Sequence, residues 1–353
     1  MSGMEPLRPP AETAPPVLTE RRGRLGLITL NRPGAINALT HEMVGLISNA
    51  LDAWRDDPEI ATVAVDGVGD RGLCAGGGVV SLYEDARQGD GTASAAFWRD
   101  EYAMNAAIAS YPKPYVALQR GLVLGGGIGV SAHGSHRVVS ETSRLGFPEV
   151  TIGYIPDVGA SWLLSRAPGE LGTRIALTAE SVSAADAILL GLADVFVAAD
   201  RIEGLLAALE TEDVDDAIAR FSQDPPPGRF EHERTWTDAA FAADTVPEIL
   251  AALRALGDDG ADALAAIIDE KSPTALAVTL ESLRRARDLP DLEAALRTEF
   301  RVSMHALRTH DFAEGIRAQL IERDRNPRWI PAVHTDVTPE IIGAYFVEGE
   351  KTS

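Results

Sequence analysis

Apolar residues along the first 140 positions follow two rhythms. Arg24–Asn31 (RLGLITLN) alternates apolar and small or polar positions, which predicts a strand, and Asn31-Arg32-Pro33-Gly34 is a turn signal that ends it. Thr40 is placed as an N-cap, and Met43, Ile47, Ala50, Leu51 and Trp54 share one helical face, so a helix is predicted to about Arg55. Thr62–Val68 reads as a strand leading into a glycine-rich loop, Asp70–Gly78 (DRGLCAGGG), followed by an acidic helix from Val79 to about Gln88. A helix from about Ala93 to Tyr111 carries Phe97, Trp98, Tyr102, Met104 and Ile108 and is stopped by Pro112 and Pro114. Tyr115–Leu118 is a buried type of strand. The glycine run Leu122–Gly134 (LVLGGGIGVSAHG) follows, with a short helix predicted over 129–134, and His136–Ser140 is another strand.

From Ser161 onward the composition shifts to Ala, Leu, Asp and Glu. Helices are predicted near Ser161–Arg166, Leu171–Leu177, Ser183–Leu190, Arg201–Glu210 and Asp213–Phe221, with several more between Val246 and about Arg323. Ala193–Val197 adds a short strand. Strands alternating with helices through glycine loops imply an α/β core with mostly parallel strands. The Pro-rich segment Asp224–Gly228 (DPPPG) can continue neither helix nor sheet, so it marks a boundary. The expected organisation is a disordered N-terminus over 1–16, a catalytic core over 17–223 and a helical C-terminal region over 224–353.

Charge narrows the function. The 353 residues carry 32 basic and 53 acidic side chains, a net charge of −21, which argues against a nucleic-acid groove. The one cysteine, Cys74, excludes an internal disulfide framework and a cysteine metal cluster. No apolar run reaches the roughly 18 residues of a membrane span, and MSGMEPLRPPAETAPP has no apolar signal-peptide core, so a cytoplasmic protein is expected.

Two carboxylates, Glu149 and Asp157, follow the glycine run in a stretch otherwise short of charge. Gly127, Gly129 and Ala132 satisfy G-x-G-x-x-A, a dinucleotide pattern, but deep in the chain and with Glu141 sooner than the usual ~20 residues. Gly129-Val130-Ser131 begins a serine-hydrolase elbow, but its fifth position is His133. His133 and His136 lack spaced partners for a metal site. The two glycine loops make better sense as a pair. One backbone N–H from each could hold a single oxygen, an oxyanion hole for a carbonyl that becomes anionic.

The segments NRPGAINAL (31–39), GLCAGGG (72–78), GLVLGGGIG (121–129) and PEVTIGYIPDVGA (148–160) resemble, in order and spacing, the enoyl-CoA hydratase/isomerase, or crotonase, superfamily. FWRDEYAMN (97–105), SPTALAVTLESL (272–283) and HDFAEGIRAQLIERDRNPRW (310–329) are similar to its subgroup that hydrolyses short 3-hydroxyacyl-CoA thioesters. The resemblance implies stacked ββα units, a ClpP/crotonase-type spiral, with an acyl-CoA substrate and its thioester oxygen on the N–H groups of Gly77 and Gly126. It implies that the loop containing Ala35, Asn37, Ala38 and Leu39 holds adenine, and it makes Arg24 and Arg32 candidates for the CoA phosphates. Hydratases of this superfamily carry a second catalytic glutamate where this chain has Gly129. The implied chemistry is therefore thioester hydrolysis by Glu149, as nucleophile or through a water, with Asp157 orienting and Glu101 accepting a hydrogen bond from the 3-hydroxyl. The implied substrate belongs to valine degradation. No metal or redox cofactor is implied, a homo-oligomer is, and no nucleic-acid or membrane partner is expected. The subgroup usually has Asp after its paired glycines, where this chain has Gly78. The alternatives are an enoyl-CoA hydratase or isomerase, and an acyl-CoA-binding protein that has lost catalysis.

Overall fold

The computed structural model describes residues 14–347. Most of the segment expected to be disordered, 1–13, lies outside the described residues. Strands β1 (Val17–Arg22) and β2 (Leu25–Leu30) form a hairpin, and α1 (His41–Arg55) follows, with the Thr40 hydroxyl accepting from the Met43 N–H at 3.3 Å. Then come β3 (Thr62–Gly67), α2 (Val79–Gln88), α3 (Thr92–Ala109), β4 (Tyr115–Gln119), β5 (Leu122–Leu124) and α4 (Gly126–Ser131). The core continues with β6 (His136–Val139), β7 (Arg144–Gly146), a 3-10 turn Glu149–Ile152, α5 (Ala160–Ser165), α6 (Leu171–Thr178) and β8 (Ser181–Val182). Helix α7 (Ala184–Leu189), β9 (Val195–Phe196), α8 (Ile202–Leu209) and α9 (Val214–Phe221) precede the Pro-rich segment. Beyond it lie α10 (Phe230–Phe241), α11 (Val246–Ala255), α12 (Asp259–Asp269), α13 (Pro273–Ala286), α14 (Leu292–Ala306), α15 (His310–Ile316), a π-helical turn Arg317–Ile321 and α16 (Pro339–Ala344).

The main sheet runs β1-β2-β3-β4-β6-β9, antiparallel only at the hairpin; a second sheet runs β5-β7-β8. Both faces of the main sheet are buried, and period-2 alternation sorts its side chains. Ile28, Leu30, Val63, Val65, Tyr115, Ala117 and Val139 join the large core with α1 and α3. Leu25, Leu27, Ala64, Val116, Leu118 and Val138 pack on the other face against α8 and α9. A third apolar cluster ties α10 to α13 and includes Val150, the neighbour of Glu149.

Several elements depart from the pattern reading, among them β1, α10 and α4; β7, β8 and α16 were not anticipated either. Strand β1 (VLTERR) was not anticipated, because only Val17 is buried and no alternation marks it. Helix α10 (FEHERTWTDAAF) was missed for a similar reason: it is held by Phe230 and Phe241, at its two ends and both fully buried, and by Arg174, which pairs with Glu233 at 2.6 Å. Helix α4 starts at Gly126 rather than at 129, placing three glycines inside a helix against their propensity. Packing overrides propensity there: a Cβ on Gly127 would sit 2.5 Å from the Cys74 carbonyl oxygen. The same closeness shows that Gly127 serves helix packing.

Leu27→Ala, on the sheet face covered by α8, is expected to cost about 2–5 kcal/mol. Thr19→Ala on exposed β1 is expected to change stability by under about 0.5 kcal/mol. Urea denaturation of the two variants checks the assignment of the buried face.

Candidate active site

Both glycine loops are pinned by backbone hydrogen bonds. The Cys74 N–H donates to the Leu122 carbonyl at 3.2 Å, and Leu124 N–H returns to the Cys74 carbonyl at 2.9 Å. The Leu39 N–H donates to the Gly76 carbonyl at 2.8 Å, and Ala75 N–H to the Ile36 carbonyl at 2.9 Å, so the 33–39 loop is docked on the first glycine loop. These bonds use neither the Gly77 nor the Gly126 N–H. Gly126 opens α4, where the first N–H groups have no partner inside the helix. Gly125 has φ 49°, a left-handed conformation that glycine adopts without strain. Its bare Cα also admits Glu149, whose Oε1 would lie 2.8 Å from a Cβ there.

Gly76, Gly77, Gly125 and Gly126 line a cavity of about 300 Å³ together with Glu101, Glu149 and Asp157. Its wall includes Trp98 and Tyr154, stacked at 5.9 Å, and Phe312, edge-on to Tyr154 at 5.3 Å. Phe312, Gln319 and Leu320 come from α15 and the π-helical turn, so the C-terminal region closes the cavity of its own chain. Among the described residues, no lysine or arginine lines it. Glu101 Oε1 and Glu149 Oε2 are buried without a hydrogen-bond partner, whereas Asp157 Oδ2 accepts from the Tyr102 hydroxyl at 2.7 Å and the Tyr154 hydroxyl at 3.0 Å.

Burial without a cation disfavours charge, so all three carboxyls hold protons more tightly than usual. Desolvation, and then the charge of Asp157, push Glu101 and Glu149 well above the ordinary carboxylate range. Desolvation also raises Asp157, but its tyrosine hydrogen bonds limit the rise to about 6.

Gly77, Gly126, Glu101, Glu149 and Asp157, singled out in the sequence, thus meet in one cavity. The 35–39 loop lies next to it through Leu39, whose Cδ1 would touch a Cβ on Gly126 at 3.2 Å. Asn37 is fully engaged in shaping that loop, accepting from the Arg32 N–H at 2.9 Å and donating to the Val68 and Gly72 carbonyls at 3.1 and 3.2 Å. Its side chain is therefore a staple of the loop, with no group left for a ligand. Ala35 closes a 3-10 turn, and the Ala38 carbonyl accepts from Arg32 Nη1 at 2.5 Å. Arg24 is not brought to this loop. It precedes β2 while Arg32 follows it, a separation of about 20 Å along the strand, and its N–H donates to the Glu210 carbonyl at 2.9 Å. His133 is a half-buried structural histidine, bonded through Nε2 to the Val158 carbonyl at 2.7 Å and lowered to about 4 by desolvation; His136 sits apart, 3.1 Å from Asp215.

Position 129 is closed. A Cβ on Gly129 would lie 2.8 Å from both Asn105 Nδ2 and Val158 Cβ, so no side chain fits without displacement. At Gly78 the Ser81 hydroxyl donates to the Gly78 carbonyl at 2.6 Å, and the loop is otherwise held by the 36–39 segment.

Sequence reading missed the residues behind Asp157. Glu299 on α14 accepts from the Gly159 N–H at 2.6 Å, the Ser161 N–H at 2.9 Å and the Ser161 hydroxyl at 2.5 Å, clamping the segment that follows Asp157. Ser303, one turn on, reaches the Tyr154 hydroxyl at 2.5 Å and the Tyr102 hydroxyl at 3.1 Å. One local signal existed: Glu299 falls in the apolar stripe Leu292, Leu296, Val302, Ala306, where a charge needs partners.

A model of the family described as enoyl-CoA hydratase/isomerase matches residues 25–346. Proteins named 3-hydroxyisobutyryl-CoA hydrolase, mitochondrial, are 39% identical in Rattus norvegicus, over 94% of this chain and 88% of theirs, and 36% identical in Homo sapiens, over 95% and 89%. The crystal structure of a carnitinyl-CoA dehydratase from Mycobacterium thermoresistibile is 48% identical with a TM-score of 0.92, covering 95% of this chain and 97% of that one. That of an enoyl-CoA hydratase from Rhodobacter sphaeroides 2.4.1 is 41% identical with a TM-score of 0.89, covering 94% and 97%.

Glu299 gives a signed stability prediction. Burial raises it from 4.5 to about 8, so between those values the folded chain keeps a proton that the unfolded chain has lost, and stability falls as pH rises. Glu149 and Glu101 act in the same direction. Denaturation midpoints measured from pH 5 to 8 should therefore decline, and Glu299→Gln, which cannot titrate, should flatten the decline.

Proposed function

The chain belongs to the enoyl-CoA hydratase/isomerase family, and from that premise we propose that it hydrolyses 3-hydroxyisobutyryl-CoA, a short, branched 3-hydroxyacyl thioester of valine degradation, to 3-hydroxyisobutyrate and CoA. Its fold is crotonase-like, an α/β core with a helical C-terminal region. The observation that carries the proposal is the closure of position 129 by Asn105 and Val158, which leaves Glu149 without a second carboxylate from α4 at the reacting face.

The thioester oxygen rests on the Gly77 and Gly126 N–H groups, where negative charge develops as the carbonyl is attacked. Glu149, against Gly125, either attacks the acyl carbon to give a mixed anhydride that water then cleaves, or takes a proton from the attacking water. Either course ends in the same acid and free CoA. Glu101 Oε1, unpartnered and 2.9 Å from the Cβ direction of Gly126, accepts the substrate's 3-hydroxyl. The wall of Trp98, Tyr154 and Phe312 limits the acyl group to a short one. Arg32, beside the 35–39 loop, remains the candidate for a CoA phosphate, and neither metal nor redox cofactor enters this chemistry. A cytoplasmic location and a homo-oligomeric state belong to the same proposal.

A second reading, enoyl-CoA hydration, is favoured by the likeness to the two solved structures described as a dehydratase and a hydratase. Hydration needs a proton delivered to one carbon while water adds to the next. Release of free thiol from 3-hydroxyisobutyryl-CoA and hydration of crotonyl-CoA, assayed side by side, separate the readings; hydration without thiol release would overturn hydrolysis, and tight binding without either would mark a catalytically impaired acyl-CoA-binding protein.

Glu149→Gln is expected to lower kcat by roughly 10²–10⁴-fold with acyl-CoA binding retained. Because Glu149 must be ionised to act and burial raises it, kcat/KM should fall on the acid side at a pH well above the 4.5 of an ordinary glutamate. A pH–rate profile with its acid limb at or below that value would contradict the assignment.

A further inference from the structure

Three hydroxyls converge behind Asp157. Tyr102 and Tyr154 donate to the same oxygen, Oδ2, and the Ser303 Oγ lies 2.5 Å from the Tyr154 hydroxyl and 3.1 Å from that of Tyr102. The Ser303 hydroxyl donates to the Glu299 carbonyl at 2.8 Å, so its lone pairs are left to accept. All four side chains are buried. Tyr154 has one proton and two acceptors within reach, and that surplus allows two arrangements. With Asp157 ionised, both tyrosines donate to Oδ2. With Asp157 protonated, its O–H donates to the Tyr154 oxygen and Tyr154 donates to Ser303. Tyr102 can make the same exchange over a longer bond.

We propose that Ser303 is a positioning residue whose Oγ is the alternative acceptor for Tyr154, so that Asp157 can gain and lose a proton during turnover without leaving a buried hydroxyl unpaired. The role rests on the thioester-hydrolase reading and is written for its covalent course. In the first half the proton held by Glu149 passes to Asp157, the bond between carbon and sulfur breaks, Glu149 is acylated, and that proton goes on from Asp157 to the departing sulfur as CoA thiol. In the second, water adds its oxygen to the acyl carbon, the bond to Glu149 breaks, and the water's proton returns to Asp157. Thioester and water become carboxylic acid and thiol, with Glu149 and Asp157 restored.

The charges around Asp157 fit this use. Glu101 and Tyr102 face it from α3, Glu149 and Tyr154 from the segment after β7, and Glu299 from α14, while His133, bonded to the next residue's carbonyl, is neutral. Among the described residues, no lysine or arginine lines the cavity to hold Asp157 in its charged form. Both tyrosines are pushed well above 10 by burial and by Asp157, so their hydroxyls keep their protons.

Infrared titration of the unliganded protein tests the relay independently of activity, with the protonated-carboxyl band of Asp157 identified by its loss in Asp157→Asn. In Ser303→Ala the protonated state loses its acceptor chain, so the midpoint of that band should move to lower pH by about one unit, the worth of one hydrogen bond. Tyr154→Phe, which removes a hydrogen bond to the ionised carboxylate, should move it the opposite way, to higher pH, and Ser303→Thr, which keeps the hydroxyl, should leave it in place. In thiol-release assays Ser303→Ala should lower kcat about tenfold with KM changed less than about twofold, again restored by Thr. An unmoved midpoint in Ser303→Ala overturns the proposal, whatever happens to kcat. Absence of thiol release by the wild type would instead remove the hydrolase reading, leaving the infrared shift to stand or fall alone.

Discussion

The controlling constraint in this structure is the burial of Glu101, Glu149, Asp157 and Glu299 in and behind one cavity that, among the described residues, no lysine or arginine lines. Unpaired carboxylates in a low-dielectric interior are costly, and three remedies are visible. Glu299 is satisfied by backbone N–H groups and a serine hydroxyl. Asp157 is satisfied by two tyrosines. Glu149 and Glu101 each keep one oxygen without a partner, and their tight hold on protons is the outcome. Unpaired polar atoms facing a cavity are what a polar substrate can satisfy, so the least stable part of the interior is also the part available for binding.

The C-terminal helices are therefore part of the site. Helix α14 packs on α3 and α5, the elements beside Asp157, and presents Glu299 and Ser303 on one face because residues four apart align on a helix. Helix α15 packs on α2 and on the Glu149–Ile152 turn and brings Phe312 to the cavity wall. Val150 is buried among α10–α13, so the turn that carries Glu149 is held from the cavity side and from behind. Ion pairs lock these helices to the core, among them Arg284 and Arg287 with Glu170 at 2.9 and 2.8 Å.

Solved structures described as a dehydratase and a hydratase share this backbone, and a fold does not by itself fix a reaction. The paired glycine loops serve any chemistry that builds charge on a thioester oxygen. In this chain the space beside Gly129 is filled by Asn105 and Val158.

Much of this was legible in the chain itself. Period-2 and period-3.6 patterns are local, so β2, β3, β4, α1 and α3 were found within a few residues of their observed ends. Glycines at 76–77 and 125–127 and the isolated pair Glu149 and Asp157 stood out because their spacing is also local. Elements without a pattern, β1 and α10, were invisible: only Val17 of β1 is buried, and α10 is held by partners far along the chain such as Arg174. For the same reason sequence did not show that the Asn37 side chain staples its loop, and it grouped Arg24 with Arg32, which β2 sets at opposite ends. Glu299 and Ser303 lie about 140 residues or more from Gly159 and Tyr154, the groups they hold. No short-range periodicity encodes such a contact. The sequence by itself determined the elements, the glycine loops and the missing carboxylate at 129; only the tertiary structure, by burying four carboxyls together, decided which would be paired, which would stay open to substrate, and what holds Asp157 in place.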